Sequence, residues 1–128
     1  MIKERYCSLE LSKLLKEKGS DEKTFAYYDD DLLCNGFWFE WNRSPLGQVS
    51  APTHQMACDW LRNKGYHIEI YTNASGYRFI ISKTPPYGTD LVCHIKGDND
   101  GGAWDDYDDC VESAMKHCLT ELMKGDKA

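Results

Sequence analysis

The segment with the clearest potential for chemistry is acidic and rich in glycine, at residues 97–102 (Gly-Asp-Asn-Asp-Gly-Gly). Carboxylates at alternate positions are the ligands that calcium takes in an EF-hand loop. A loop that begins at Asp98 has Asp100 at its third position. It then has Gly102 and Ala103 where a ligand and a glycine are needed. Because the pattern fails, we predict a solvated loop that holds no metal.

The histidines and cysteines do not form a recognisable catalytic or metal-binding pattern. No two cysteines have the Cys-x-x-Cys spacing, and zinc sites need closely spaced ligand pairs. His67 and Glu69 match the His-x-Glu half of a zinc deaminase, but the companion Pro-Cys-x-x-Cys is absent. The sequence has no phosphate-binding glycine loop and no Gly-x-Ser-x-Gly elbow. We predict no metal, no cofactor and no catalytic residue, and a protein that is not an enzyme.

An aromatic segment, Phe37-Trp38-Phe39-Glu40-Trp41, is the least ordinary part of the sequence. In a strand, Phe37, Phe39 and Trp41 would face one side, and Trp38 the other. Three interpretations stay open. These residues build a two-sided core, they form a protein interface, or they stack with arginines on a planar anionic ligand such as a nucleotide. The candidate ligand or interface residues are Trp38, Trp41, Arg43, Trp60, Tyr71, Arg78 and Tyr87.

Cap residues and apolar spacing predict three helices that would hold these candidates in place. The first begins after Ser8 and runs to about Lys18. The second follows the predicted cap Thr53 and ends at Gly65. The third begins near Asp106.

Alternating apolar residues and turn signals predict the strands. They are Thr24–Tyr28, Leu32–Trp41 with a break or bulge at Asn35-Gly36, Tyr66–Tyr71, Tyr77–Lys83 and Leu91–Ile95. Asp29-Asp30-Asp31 is predicted to be a turn. The fold class is therefore α+β, an antiparallel sheet of about five strands with three helices, in the order α-β-β-α-β-β-β-α.

Length and charge bound what the chain can do. The 128 residues are enough for one domain, and we predict a single α+β domain over 1–128. A net charge of −6 disfavours general nucleic-acid binding, which needs a clustered basic face. No stretch approaches the roughly 20 apolar residues of a membrane helix, and the N-terminus lacks a signal-peptide pattern. We predict a cytoplasmic protein that does not bind membranes.

The six cysteines fall mainly on predicted apolar faces. In a reducing cytoplasm we expect free, mostly buried thiols, because free cysteine behaves as a small hydrophobic residue. A disulfide scaffold of a secreted protein is the alternative.

Three segments together suggest a family. They are the runs 7–19 (CSLELSKLLKEKG), 50–62 (SAPTHQMACDWLR) and Tyr107–Leu122. Their order and spacing resemble a group of small uncharacterised proteins encoded by phages and mobile elements of gut anaerobic bacteria. The resemblance implies an accessory role in a phage or mobile element. Its markers are helix caps and core positions, so it implies no catalytic residue.

The resulting functional hypothesis is a non-enzymatic accessory protein that binds a host protein or assembles with itself as a homo-oligomer. The first alternative is a protein that binds a small anionic ligand of the nucleotide type. The second is a small metal-dependent hydrolase that uses the carboxylates between Asp98 and Asp109.

Overall fold

A computed structural model describes residues 5–83, 92–93, 97 and 99–123 of the chain. The helices are α1 (Leu9–Glu17), α2 (His54–Asn63) and α3 (Tyr107–His117). The strands are β1 (Thr24–Asp29), β2 (Leu32–Phe39), β3 (Val49–Ala51), β4 (Tyr66–Asn73), β5 (Gly76–Lys83) and β6 (Val92–Cys93). A 3₁₀ turn, Trp41–Arg43, follows β2, and a π-helical turn, Cys118–Leu122, follows α3.

The α+β class, the three helices, the antiparallel pairing and the predicted element order are confirmed. One strand is additional, because β3 has only three residues and is too short to show an alternating pattern. The strands lie in two three-stranded sheets, with the orders β2-β1-β3 and β4-β5-β6. That division depends on pairing between distant segments, which local patterns do not encode.

The described chain forms two compact units. The first comprises residues 5–57 and 119–123, and the second comprises the described residues between 58 and 118. The boundary in sequence falls within α2. A single domain over 1–128 therefore stays a prediction.

In the first unit, α1 packs beside the sheet β2-β1-β3. Ser8 caps the helix as predicted, since its hydroxyl accepts the Leu11 N–H at 3.2 Å. The Tyr28 hydroxyl donates to the Cys7 carbonyl at 2.8 Å. The Lys18 ammonium donates to the Met123 carbonyl at 2.6 Å, which joins the end of α1 to the C-terminal turn. The buried apolar residues of this unit are Cys7, Leu11, Leu15, Ala26, Trp41, Val49, Ala51, Ala57, Leu119 and Met123.

In the second unit, α3 packs on the hairpin of β4 and β5. Asp106 caps α3 as predicted, because its carboxylate accepts the Asp109 N–H at 3.2 Å. Trp104 exchanges two backbone hydrogen bonds with Tyr77 and lies over Phe79, with ring centroids 5.1 Å apart. A Cβ at Gly76 would lie 2.4 Å from the Trp104 carbonyl oxygen. Glycine is therefore required where this loop crosses the hairpin.

No helix in the described residues is long and apolar enough to cross a membrane.

Candidate functional site

The strand β2 forms one edge of its sheet. It pairs with β1 on one side, and no strand among the described residues pairs with its other side. An edge strand exposes backbone N–H and C=O groups that can pair with another chain. Over its eight residues the open side is about 27 Å long.

The turn before β2 determines which backbone groups face outward. Asp29 pairs with Leu32 across a two-residue turn, and Asp30 has a φ of 54°, the positive sign that hairpin turns of the primed types require at their first central residue. The Asp29–Leu32 pair is then the hydrogen-bonded one, and the pattern alternates along an antiparallel ladder. The N–H and C=O groups of Leu33 therefore face the open side of the sheet.

The side chains of this hairpin are exposed to an unusual degree. Seven of the eight residues of β2 are exposed. We define the β2 surface as the exposed large apolar residues of the hairpin, which are Phe25 at 38%, Leu32 at 68%, Leu33 at 42%, Phe37 at 62%, Trp38 at 59% and Phe39 at 42%. Apolar residues concentrated on one element of a small chain are typical of an interaction site.

A bulge interrupts the pairing of β2 with β1. Thr24 pairs with Phe39 and Ala26 with Asn35, so three residues of β2 lie opposite Phe25 alone. The predicted break near Asn35-Gly36 is confirmed. A bulge bends the strand and changes the direction of its side chains.

The two faces carry different ring contacts. On one face, the Phe37 and Phe39 rings contact Trp41, at centroid distances of 5.2 and 5.0 Å. Trp38 instead lies 6.0 Å from Phe25. Phe37, Phe39 and Trp38 all stay exposed, so β2 presents aromatic rings to solvent on both of its faces.

The sequence predicted that the strand would continue to Trp41, but it ends at Phe39. Trp41 begins the 3₁₀ turn and is buried, with 7% of its surface exposed. Its ring stacks on Tyr27 at 3.9 Å, and its indole N–H donates to the Thr24 carbonyl at 3.0 Å. Trp41 is thus a core residue that supports the exposed rings from beneath.

Beside Trp38 lies a shallow groove of about 340 Å³. Its floor and walls are mainly apolar, from Phe25, Trp38, Ala51 and Met56, with hydroxyl groups from Tyr6, Thr24 and Thr53 and the amide of Gln55. The described residues that line it include no basic side chain. This composition suits an apolar side chain better than a phosphate.

The two ends of β2 differ in charge. At the turn end, Asp29, Asp30 and Asp31 are all exposed, and none forms an ion pair with a described residue. Partial burial raises the pKa of the Tyr27 hydroxyl, and Cys34 and the Asp29 carboxylate raise it further. At the other end, the Arg43 guanidinium is held by Asp21 at 2.7 Å and by Glu40 at 3.8 Å.

The predicted site residues do not form one cluster. Trp38, Trp41 and Arg43 belong to the first unit, and Trp60, Tyr71 and Arg78 to the second. Tyr87 lies outside the described residues.

Within the second unit, Trp60 is buried at 8% exposure, and the Lys64 ammonium lies 5.3 Å from its ring centroid. Tyr71 and Arg78 are direct cross-strand partners on β4 and β5. They therefore form a small surface pair of their own.

The sequence analysis did not include three parts of this surface among its candidate residues. They are Phe25, the pair Leu32 and Leu33, and the aspartates at the turn end of the same edge. An alternating pattern shows which residues share a face. It does not show that a strand is at the edge of its sheet, which is the signal that would have been needed.

The acidic loop is held together by Asn99. Its side-chain oxygen accepts the N–H groups of Gly101 and Ala103, at 3.0 and 2.8 Å. Its amide donates to the Ser75 carbonyl at 2.7 Å and to the Asp105 carboxylate at 3.0 Å. These bonds account for the shape of the loop. Asp98 lies outside the described residues.

The five cysteines whose side chains are described form no disulfide, as predicted, and Cys7, Cys110 and Cys118 are buried. Burial raises the pKa of the Cys110 thiol to about 11. Burial also raises that of Cys58, against a smaller opposing effect of Arg62. Both thiols are therefore protonated at neutral pH, which suits packing and not nucleophilic attack. The Cys93 side chain lies outside the described part of the chain.

Comparison of the chain with protein families, with curated proteins and with solved structures finds no match. The resemblance to phage and mobile-element proteins therefore stays a prediction.

Proposed function

We propose that this chain is a non-enzymatic protein-binding module whose partner adds a strand to the open side of β2. The observation that carries the proposal is the combination of an unpaired edge with exposed aromatic residues on both faces of the same strand. In strand addition, backbone hydrogen bonds supply affinity, and pockets for alternate side chains supply specificity. The chain offers the edge, and the groove beside Trp38 is a suitable pocket.

The other edge strand of eight residues provides an internal comparison. β4 carries His67, Glu69, Thr72 and Asn73, and polar or charged residues on an edge discourage pairing with other chains. β2 has no charged residue and no proline. The difference supports a binding role for β2 in particular.

A nucleotide-type ligand has less support. Such a ligand needs an available cation beside the aromatic rings. Arg43 is already paired with two carboxylates, and the described lining of the groove has no basic residue. An origin in a phage or mobile element, and a partner from the host, rest on the sequence resemblance alone.

Proline at position 33 tests the proposal. Leu33→Pro removes an outward-facing N–H but no hydrogen bond to β1, and proline is tolerated at such positions of edge strands. The matched control Leu33→Ala removes the same side chain and keeps the N–H. A displayed library of random peptides is selected for binding to each variant and, separately, to the original protein. Circular dichroism of each variant verifies that it is folded.

We expect peptides to be enriched on the original protein and, more weakly because the exposed Leu33 side chain is lost, on Leu33→Ala, and to be absent on Leu33→Pro. Phe37→Lys is a second test, because it places a charge on the exposed surface without requiring the backbone to accommodate proline. Enrichment of the same peptides on Leu33→Pro and Phe37→Lys, or no enrichment on the original protein, would overturn the proposal.

A further inference from the structure

We propose that the natural occupant of the open side of β2 is an extended segment that is apolar in its middle and basic at its C-terminal end. This inference rests on the proposed function and specifies the chemistry of the partner. It follows from the distribution of charge along the open edge.

The middle of the edge sets the apolar part of the occupant. No charge occurs from Leu32 to Phe39, and the strand exposes apolar side chains on both faces. A partner strand lying beside it has side chains that alternate between the same two faces. Apolar side chains at those positions would cover the β2 surface and reach the groove beside Trp38.

The turn end sets the basic part. Asp29, Asp30 and Asp31 supply three exposed carboxylates, and none of them forms an ion pair with a described residue, although the Lys13 side chain lines the same shallow pocket as Asp30 and Asp31. At the other end, Glu40 and Asp21 share the guanidinium of Arg43. The larger excess of negative charge therefore lies at the turn. Complementary charge at one end also fixes the register of the partner.

A second copy of the chain fits this edge poorly. Antiparallel pairing of two β2 strands would place the three aspartates of each copy beside Asp21 and Glu40 of the other, whose two negative charges exceed the single positive charge of Arg43. Parallel pairing would place the two aspartate turns together. Both arrangements bring like charges close, in a chain with a net charge of −6, and like charges across an interface oppose association.

The direction of the partner follows from pairing preference. Antiparallel pairs outnumber parallel pairs about two- to three-fold. A strand antiparallel to β2 has its C-terminal end beside the start of β2, where the aspartates lie. Lysine or arginine residues are therefore expected at the C-terminal end of the bound segment.

The test uses synthetic peptides as long as β2, with alternating threonine and valine and with blocked ends. One carries two lysines at its C-terminal end, one carries them at its N-terminal end, and one carries two glutamates at its C-terminal end. Fluorescence anisotropy measures binding of each to the full chain. We expect the peptide with C-terminal lysines to bind about fivefold more tightly than the other two.

The double variant Asp30→Asn, Asp31→Asn should remove that preference. Asparagine accepts the positive φ of position 30 as readily as aspartate does, so the turn is kept. Glu69→Gln with Glu121→Gln is the matched control, because it makes the same change in net charge at exposed residues outside the β1–β2 hairpin. We expect the control to keep the preference for C-terminal lysines.

The outcomes distinguish a failure of this inference from a failure of the proposed function. If all three peptides bind equally and Leu33→Pro abolishes binding, the charge inference is overturned and strand addition stands. If the peptide with N-terminal lysines binds most tightly, the stated direction is overturned. If the original protein forms a dimer at low salt through β2, the occupant is a second copy and the inference fails. If no peptide binds, both proposals fail.

Discussion

At the scale of single residues, Trp38 and Trp41 show how the same side chain takes two roles three positions apart. Trp38 exposes 59% of its surface and Trp41 only 7%. Trp41 combines ring stacking on Tyr27 with a hydrogen bond to Thr24, while Trp38 has Phe25 beside it. Stability should therefore depend on Trp41, and binding on Trp38.

Substitution of the two tryptophans tests this division. Trp41→Phe keeps an aromatic ring but leaves the Thr24 carbonyl without the indole donor, so it should lower the free energy of unfolding by about 1–3 kcal/mol. Trp38→Ala should change it by less than about 1 kcal/mol. Denaturant unfolding followed by circular dichroism measures both. A larger loss for Trp38→Ala than for Trp41→Phe would contradict the assignment.

Cys110 gives a prediction about pH. Burial raises the pKa of its thiol from 9.0 to about 11 in the folded chain. Between these two pH values the folded state therefore keeps a proton that the unfolded state has released. Its contribution to stability is present below about pH 9 and is lost as the pH rises towards about 11. The stability difference between the original protein and Cys110→Ala should shrink over this range. A difference that is constant with pH would contradict the prediction.

At the scale of elements, the β1–β2 hairpin depends on the conformation of its turn. The sequence predicted a turn at the three aspartates, and this is confirmed, with Asp30 and Asp31 at its centre. Only Asp30 has a positive φ among the non-glycine residues that are described. Aspartate adopts this conformation at some cost, and glycine adopts it without steric strain.

Glycine substitutions at the two turn positions should therefore have opposite signs. Asp30→Gly should stabilise the chain by about 0.5 kcal/mol, because it relieves the strain at a positive φ. Asp31→Gly should destabilise it by about 0.5–1 kcal/mol, because it only adds freedom to the unfolded chain. Thermal melting of the two variants side by side checks the signs. Equal shifts in one direction would rule out this account of the turn.

The elements also show how far sequence reasoning reached. The caps Ser8, Thr53 and Asp106 were identified correctly, because each acts on amide groups within three residues of itself. The end of β2 was not, because the strand stops at Phe39 and Trp41 begins a 3₁₀ turn, where a period of two residues no longer applies. A periodic pattern fails where the backbone departs from regular geometry.

At the scale of the whole molecule, the negative charge and the exposed β2 edge oppose each other. The uncharged edge favours self-pairing, while a net charge of −6 and the aspartates at the turn oppose it. The balance should therefore depend on salt, because the Debye length falls from about 30 Å at 0.01 M to about 3 Å at 1 M.

Sedimentation velocity at low and high ionic strength tests this balance. We expect the original protein to be monomeric at low salt and to associate as salt is raised. Leu33→Pro should stay monomeric throughout. Association that is strongest at low salt, or that also occurs in Leu33→Pro, would show that another surface or another force is responsible.

The sequence by itself determined the class of the fold, the caps, the turns and the order of the elements, because these depend on contacts between residues close in the chain. Only the tertiary structure decided which strand lies at an edge, which rings are exposed and which charges lack a partner. Those properties depend on what packs across from each residue, as in the exposure of Phe37 beside the burial of Trp41. The binding surface proposed for this chain is for that reason a property of its folded state.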